Sequence, residues 1–223
     1  METRRHRSYF GDNPRWAGVD FYSMSHSHPA SRPNTETLQN TLAASDANEL
    51  PRYALSAPQA KFISLHCRTA GVVHALEVGT LGAYSAIWMA SENPQLHVTT
   101  VEYDKHHAEV ARANIAQAGL ESPSGEVQRG ERPRFGFVFI DADKVNNWGY
   151  FQLAKDMVRP TSVICVDNVV REGLLVDSYV ADPSVRGSRE VVEKAGTEPG
   201  VDSVVLQTVG EKGYDGWLWA VIS

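Results

Sequence analysis

Apolar and polar positions change their period several times along the chain, and the changes mark out its elements. From Ala57, "APQAKFISLHCRTAG" spaces its apolar residues as a helix with one buried face does, and Gly71 ends it. Val73–Gly79, "VHALEVG", is short and nearly all apolar, which predicts a strand. Tyr84–Glu92 predicts a helix, Leu96–Tyr103 a strand, and Asp104–Gly119 a helix with Asp104 as N-cap and Gly119 as its stop. Two further apolar runs, "FVFI" from Phe137 and "SVICVDNVV" over Ser162–Val170, predict strands with the helix "NNWGYFQLAKDMV" between them. The tail, "VDSVVLQTVGEKGYDGWLWAVIS", alternates about glycine-rich turns and predicts a terminal hairpin.

Strand and helix thus alternate, which predicts an α/β fold: a mostly parallel, doubly wound sheet with helices on both faces and an antiparallel hairpin at its end. Met1–Pro51 is different, rich in Ser, Pro, Asn and His and weakly periodic, with one helix expected in Asn34–Leu50 capped by Asn34 or Thr35. We therefore expect residues 1–50 to be an N-terminal extension with a lid or dimer helix, and residues 51–223 to be the α/β domain.

Composition narrows the function classes. The 223 residues suit one α/β domain, and 42% hydrophobic content is compatible with a packed core. A net charge of −6 and a pI near 5.7 disfavour a nucleic-acid partner. The two cysteines, one in a strand and one in a helix, suggest neither a disulfide framework nor a zinc site. No apolar run has the length of a membrane span, and the N-terminal residues lack the apolar core of a secretory signal, so a cytoplasmic location is expected. His26 and His28 in "SMSHSHP" lack a third ligand nearby and read more readily as surface residues than as a metal site.

Two places on the expected sheet carry chemistry. "LEVGTLGAYSA", Leu76–Ala86, is strand, glycine turn and helix, and such a turn sits at the ligand-binding carboxyl end of the strands. Gly79 and Gly82 allow close backbone approach, and Glu102 ends the next strand where a carboxylate can accept two ribose hydroxyls. Glu77 lies inside the strand, where a purely structural chain would keep an apolar residue. A buried acid there suits a ligand with positive charge, such as S-adenosylmethionine, and would repel a pyrophosphate. At the second place, "FIDADK" and "VDNVV" put Asp141, Asp167 and Asn168 at the tips of neighbouring strands. Three hard oxygen donors suit Mg²⁺ or a similar cation. Singly, each of the three also reads as the N-cap of a following helix.

With "EVGTLGAYSA", "VEYD", "FIDADK" and "VDNVV" in this order, the chain resembles the cation-dependent class I O-methyltransferases. These include the caffeoyl-CoA and catechol O-methyltransferases, and the fungal members resemble it most. The resemblance runs from about Ala57 to the C-terminus. It implies a seven-stranded sheet, S-adenosylmethionine as methyl donor, Mg²⁺, and a catechol-like aromatic small molecule as acceptor. By position it implies donor contacts from Glu77, Gly79, Thr80, Ser85, Glu102 and Asp143. It implies a metal set of Asp141, Asp167 and Asn168, with Lys144 as general base, and acceptor contacts from Asp141 and Glu172. Lys144 would need a lowered pKa, which an adjacent cation favours. Trp148, Tyr214, Trp217 and Trp219 are candidates for the acceptor's aromatic walls, though each reads first as a packing residue. Family members occur as monomers and homodimers, and a homodimer is the slim preference.

One segment departs from the family. "GEVQRG" is followed by only "ERPRFG" before Phe137, where the family has a strand, a loop and a helix. In a 3-2-1-4 sheet those strands lie three spacings apart, about 14 Å, and the chain must also return a strand's length of ~17–20 Å. Six residues reach about 20 Å when fully extended, so the edge strand and crossover between about 125 and 136 are expected to be truncated. Weaker donor binding and an unstable sheet edge are then expected. Two alternatives stay open: a catalytically impaired relative serving as a binding or dimerisation module, and a Rossmann oxidoreductase, disfavoured by Glu77 and the missing third glycine.

Overall fold

The computed structural model describes residues 14–120 and 134–223 of the chain. Two helices, α1 (Pro14–Ser27) and α2 (Thr35–Ala47), precede α3 (Ala57–Thr69). Strands and helices then alternate: β1 (His74–Val78), α4 (Tyr84–Glu92), β2 (His97–Val101), α5 (Lys105–Gln117), β3 (Phe135–Ile140), α6 (Asn147–Met157), β4 (Val158–Val166) and α7 (Pro183–Ala195). The hairpin β5 (Val201–Gly210) and β6 (Gly213–Ile222) completes the chain. None of the described helices is long and apolar enough to cross a membrane.

Six strands among the described residues form one sheet in the order β2-β1-β3-β4-β6-β5. The pairs among β2, β1, β3 and β4 are parallel, whereas β6 is antiparallel to both β4 and β5. This is the doubly wound sheet with a terminal hairpin that the alternating pattern predicts. The segment expected to be truncated lies outside the described residues up to position 133; Phe135 and Gly136 open β3.

The two-residue period of a strand explains why both faces are covered. On one face Ala75, Phe137, Phe139, Cys165 and Trp217 pack with Ile63 and Cys67 of α3 and Trp88 of α4. On the other, Leu76, Val138, Ile140, Ile164, Val166 and Leu218 pack with Phe151 of α6 and Val191 of α7. Each fully buried Phe or Ile contributes roughly 1.5–3 kcal/mol. Glu77 shares the parity of Ala75 and is carried into the first of these cores, where it is 0% exposed.

Several boundaries differ from the sequence expectations. β4 begins at Val158 and ends at Val166, so Asp167 and Asn168 lie beyond the strand, and Asn168 is left-handed at φ +55°. Helices α1 and α7 have no counterpart in the predicted pattern. The first presents Val19, Phe21 and Tyr22 to solvent. The second is capped by Asp182, whose side chain accepts from the Ser184 amide at 2.7 Å, with Pro183 at its first position.

Candidate active site

The carboxyl ends of the strands are stitched together by their exit residues. The Gly79 amide donates to the Val101 carbonyl (2.9 Å), that of Asp141 to Val78 (2.8 Å), and that of Asp167 to Ile140 (2.9 Å). Val169 donates to Gly216 at 3.0 Å. The backbone therefore fixes the glycine turn, the "FIDADK" turn and the "VDN" turn side by side on one rim.

On the glycine-turn side, Glu77 accepts a hydrogen bond from the Ser85 hydroxyl and another from Thr100 Oγ1 at 2.7 Å. Thr80 Oγ1 lies 2.5 Å from Thr100 Oγ1, and because the Thr100 proton is committed to Glu77, Thr80 is the donor. Burial pushes the Glu77 carboxyl up to about 7; the two hydroxyls pull it down, and Asp141 and Glu102 push it up. An acid in this position gains most from a positive partner. Glu102 turns back on the loop, accepting the amides of Thr80 (3.1 Å), Leu81 (2.8 Å) and Asp104 (2.9 Å). An ionised carboxylate offers about four acceptor positions, so about one is left for a ligand. Leu81 and Ala83 hold positive φ values of +50° and +65°, backbone strain of the kind concentrated at ligand-binding turns.

The oxygen set forms the next part of the rim. Asp141 Oδ1 is paired with Lys144 Nζ at 2.6 Å. Asp167, 4% exposed, accepts from the Trp217 indole nitrogen at 2.7 Å. Burial first, and then repulsion from Asp141, raise the Asp167 carboxyl to about 7, against the pull of Lys144. The backbone carbonyl of half-buried Asn168 accepts from the Ser188 hydroxyl, whereas its side-chain amide takes no hydrogen bond among the described residues. Two crowded carboxylates and an uncommitted amide make a donor set suited to a hard divalent cation. No cluster of three or more His, Cys, Asp or Glu among the described residues is arranged to hold a metal, so any such site depends on the asparagine.

Lys144 is pulled in two directions by its surroundings. Burial lowers it, but the carboxylates of Asp141 and Asp167 outweigh burial and hold it above the usual lysine range. Asp143, expected on the donor side, is exposed and bonded to Asn146 Nδ2 (2.6 Å) and the Tyr150 hydroxyl (2.5 Å). Glu172, expected to touch the acceptor, is exposed at φ +56° in a short 3-10 segment and does not line the large cavity described next. His26 and His28 do not converge either. His26 Nδ1 lies 2.8 Å from the Tyr22 carbonyl oxygen. His28 is buried rather than on the surface, 3.2 Å from Lys61 Nζ and packed against Trp88 with the rings tilted at 45°.

A cavity of about 550 Å³ opens beside Asn168, walled by Phe62, Trp217, Asp215, Lys212 and Asp20. Of the four aromatic candidates only Trp217 lines it. Asp215, which sequence reasoning missed, caps the turn after β4 by accepting the amides of Val170 (3.1 Å) and Arg171 (2.9 Å). Asp20 of α1 reaches the β5–β6 turn and accepts the Glu211 amide at 2.8 Å.

The strand order, with most of the candidate residues on the carboxyl rim, places the chain among Rossmann-like methyltransferase folds. Residues 26–211 match the O-methyltransferase family model. The O-methyltransferase imqG of Aspergillus flavus is 46% identical over an alignment that takes in 96% of this chain and 93% of that protein. A catechol O-methyltransferase of Mycobacterium tuberculosis is 45% identical, covering 83% of this chain and 88% of its own length. A Bacillus cereus O-methyltransferase solved in complex with SAH superposes with a TM-score of 0.85 at 39% identity, covering 94% of this chain and 99% of that one. The chain belongs to the O-methyltransferase family and is an enzyme of that class. The oxidoreductase alternative falls with this finding.

The Aspergillus alignment runs over 230 positions, more than the 223 residues of this chain, so the relative carries residues that this chain lacks.

Proposed function

We propose that the protein transfers the methyl group of S-adenosylmethionine to a hydroxyl of a catechol-like aromatic small molecule, with Mg²⁺ or a similar cation held by Asp141, Asp167 and Asn168. One observation carries this reading: the buried acid beside the glycine turn and the oxygen set share a rim, joined by the Asp141–Val78 hydrogen bond, and the rim opens on an aromatic-walled cavity. The Bacillus cereus relative, solved with the demethylated donor, supports the donor assignment.

In this reading Glu77 faces the positive charge of the donor, Gly79 lets the backbone approach it, and Thr80, Ser85 and Glu102 hold the turn in shape. Phe62 and Trp217 hold the acceptor ring beside Asn168. When bound, the cation supplies Lewis acidity toward the phenol and a template for vicinal oxygens. Methyl transfer is an in-line displacement at carbon, so the residues act chiefly by alignment of oxygen, methyl and sulfur. Lys144 Nζ handles the departing proton. Burial favours its neutral form and the two carboxylates oppose it, so its state follows from what compensates Asp141 and Asp167. We assign residues 1–50 as an extension whose α1 closes the acceptor side through Asp20, and residues 51–223 as the methyltransferase domain.

A second reading, a catalytically impaired relative, draws on the residues that the alignment shows to be missing. Calorimetry with S-adenosylmethionine, with and without Mg²⁺, followed by mass spectrometry of catechol mixtures separates the two. Donor binding and Mg²⁺-dependent methylation abolished by EDTA are expected. Donor binding without turnover on any catechol would leave the impaired relative standing, and turnover indifferent to chelation would overturn the metal assignment.

A further inference from the structure

Trp217 belongs to both halves of the site. Its ring lines the cavity and packs against Phe62 (5.7 Å between ring centroids) and Phe139 (6.4 Å). Its indole nitrogen donates to Asp167 Oδ1 at 2.7 Å, a bond between groups 3% and 4% exposed. The sheet creates this meeting. β4 and β6 are antiparallel with Val166 opposite Leu218, so the residue that leaves β4 next, Asp167, comes abreast of Trp217. An indole N–H is a donor only, so the bond fixes one oxygen of Asp167 as its acceptor and sets the plane of the carboxylate.

Resting on the function proposed above, we infer that Trp217 is a positioning residue that couples acceptor to cation: it aims Asp167 at the ion through its nitrogen and meets the acceptor with its ring. Partners that orient a metal ligand typically change metal affinity about 10–100-fold when removed. Coupling through one side chain is reciprocal, so an acceptor against the ring should tighten cation binding and the cation should tighten acceptor binding.

The test is binding rather than turnover. Mn²⁺ affinity, measured by electron paramagnetic resonance on the full chain, should weaken about 10-fold or more in Trp217→Phe, which keeps a ring and loses the donor. SAH affinity should stay at the wild-type value, which a general loss of fold would not allow. In the wild-type protein labelled with ¹⁵N at indole, Mg²⁺ should shift the Trp217 N–H resonance. That of Trp88, buried without a hydrogen-bond partner among the described residues, should stay in place. This titration decides the matter even if the variant does not fold. Unchanged Mn²⁺ affinity in the variant, or a Trp217 resonance that ignores Mg²⁺ while the wild type binds it, overturns the inference and leaves the metal site standing. A wild type that binds SAH but no Mn²⁺ overturns the metal site and the inference together.

Discussion

A Cβ placed on Gly79 would lie 2.2 Å from the backbone oxygen of Asp141, so the donor turn and the first residue of the oxygen set touch through main chain alone. Gly79 also has φ +99°. Gly79→Ala combines a positive-φ penalty of roughly 1–2 kcal/mol with overpacking of about 1–3 kcal/mol. We expect a loss on the order of 3 kcal/mol in denaturant unfolding and no measurable SAH binding. Gly119→Ala, at φ +67° with nothing within 4 Å, is the control and should lose only the conformational part.

Glu77 makes the unliganded protein less stable as pH rises. Its carboxyl is raised to about 7 in the folded state, so between an unfolded value near 4.5 and that point the unfolded chain releases its proton first. Stability from this group is intact below pH ~4.5 and falls by about 3 kcal/mol once pH passes ~7. Asp167 is shifted in the same direction, so Glu77→Gln should flatten the pH dependence of thermal unfolding only in part. S-adenosylmethionine affinity should rise with pH through neutrality in the wild type and be weaker and flat in Glu77→Gln. Titration calorimetry from pH 5 to 8 reads this, and identical donor affinities at the two ends would contradict it.

Lys144 competes with any cation for Asp141 Oδ1, from which it lies 2.6 Å. Lys144→Ala should therefore bind Mn²⁺ at least as tightly as wild type while turnover falls by about 10²–10⁴-fold, the usual contribution of a general base. Full turnover in the variant would remove the proton-handling role.

Asp20 bridges α1 to the β5–β6 turn, and Gly210 is close enough that a Cβ there would sit 2.4 Å from Asp20 Oδ2. Asp20→Ala should raise the acceptor KM several-fold, leave SAH affinity alone, and cost at most about 1.5 kcal/mol of stability. A change confined to donor affinity would show that α1 serves the other side of the site.

Much of this was legible in the chain, and the exceptions have physical causes. Strands β1, β3 and β4 announce themselves as apolar runs buried on both faces, β2 by alternate half-buried positions, and helices α3 to α6 by their buried faces. Helix α7 carried a signal that went unread: Val185, Ser188, Val191 and Ala195 recur at helical spacing between charged residues, and Asp182 followed by Pro183 marks its start. Helix α1 hid for another reason: Val19, Phe21 and Tyr22 face outward, while it meets the fold through Met24 on the core and Asp20 on a distant turn. Glu77 stood out as an acid inside an apolar strand, but its partner Thr100 emerges only when β1 and β2 pair in register. The Trp217–Asp167 bond spans 50 residues and needs the antiparallel return of β6. Against burial, the Lys144 pKa is raised first by Asp141, inside "DADK", and then by Asp167, which only the pairing of β3 with β4 brings near.

The cavity walls come from α1, the start of α3 and the terminal hairpin, whereas the reactive rim comes from the tips of the central parallel strands. Selection can reshape the room in which the acceptor sits by altering peripheral pieces, without disturbing the bench at which the transfer is done. Divergence in what is methylated should then accumulate in the hairpin turn and the first helix long before it reaches the strand tips.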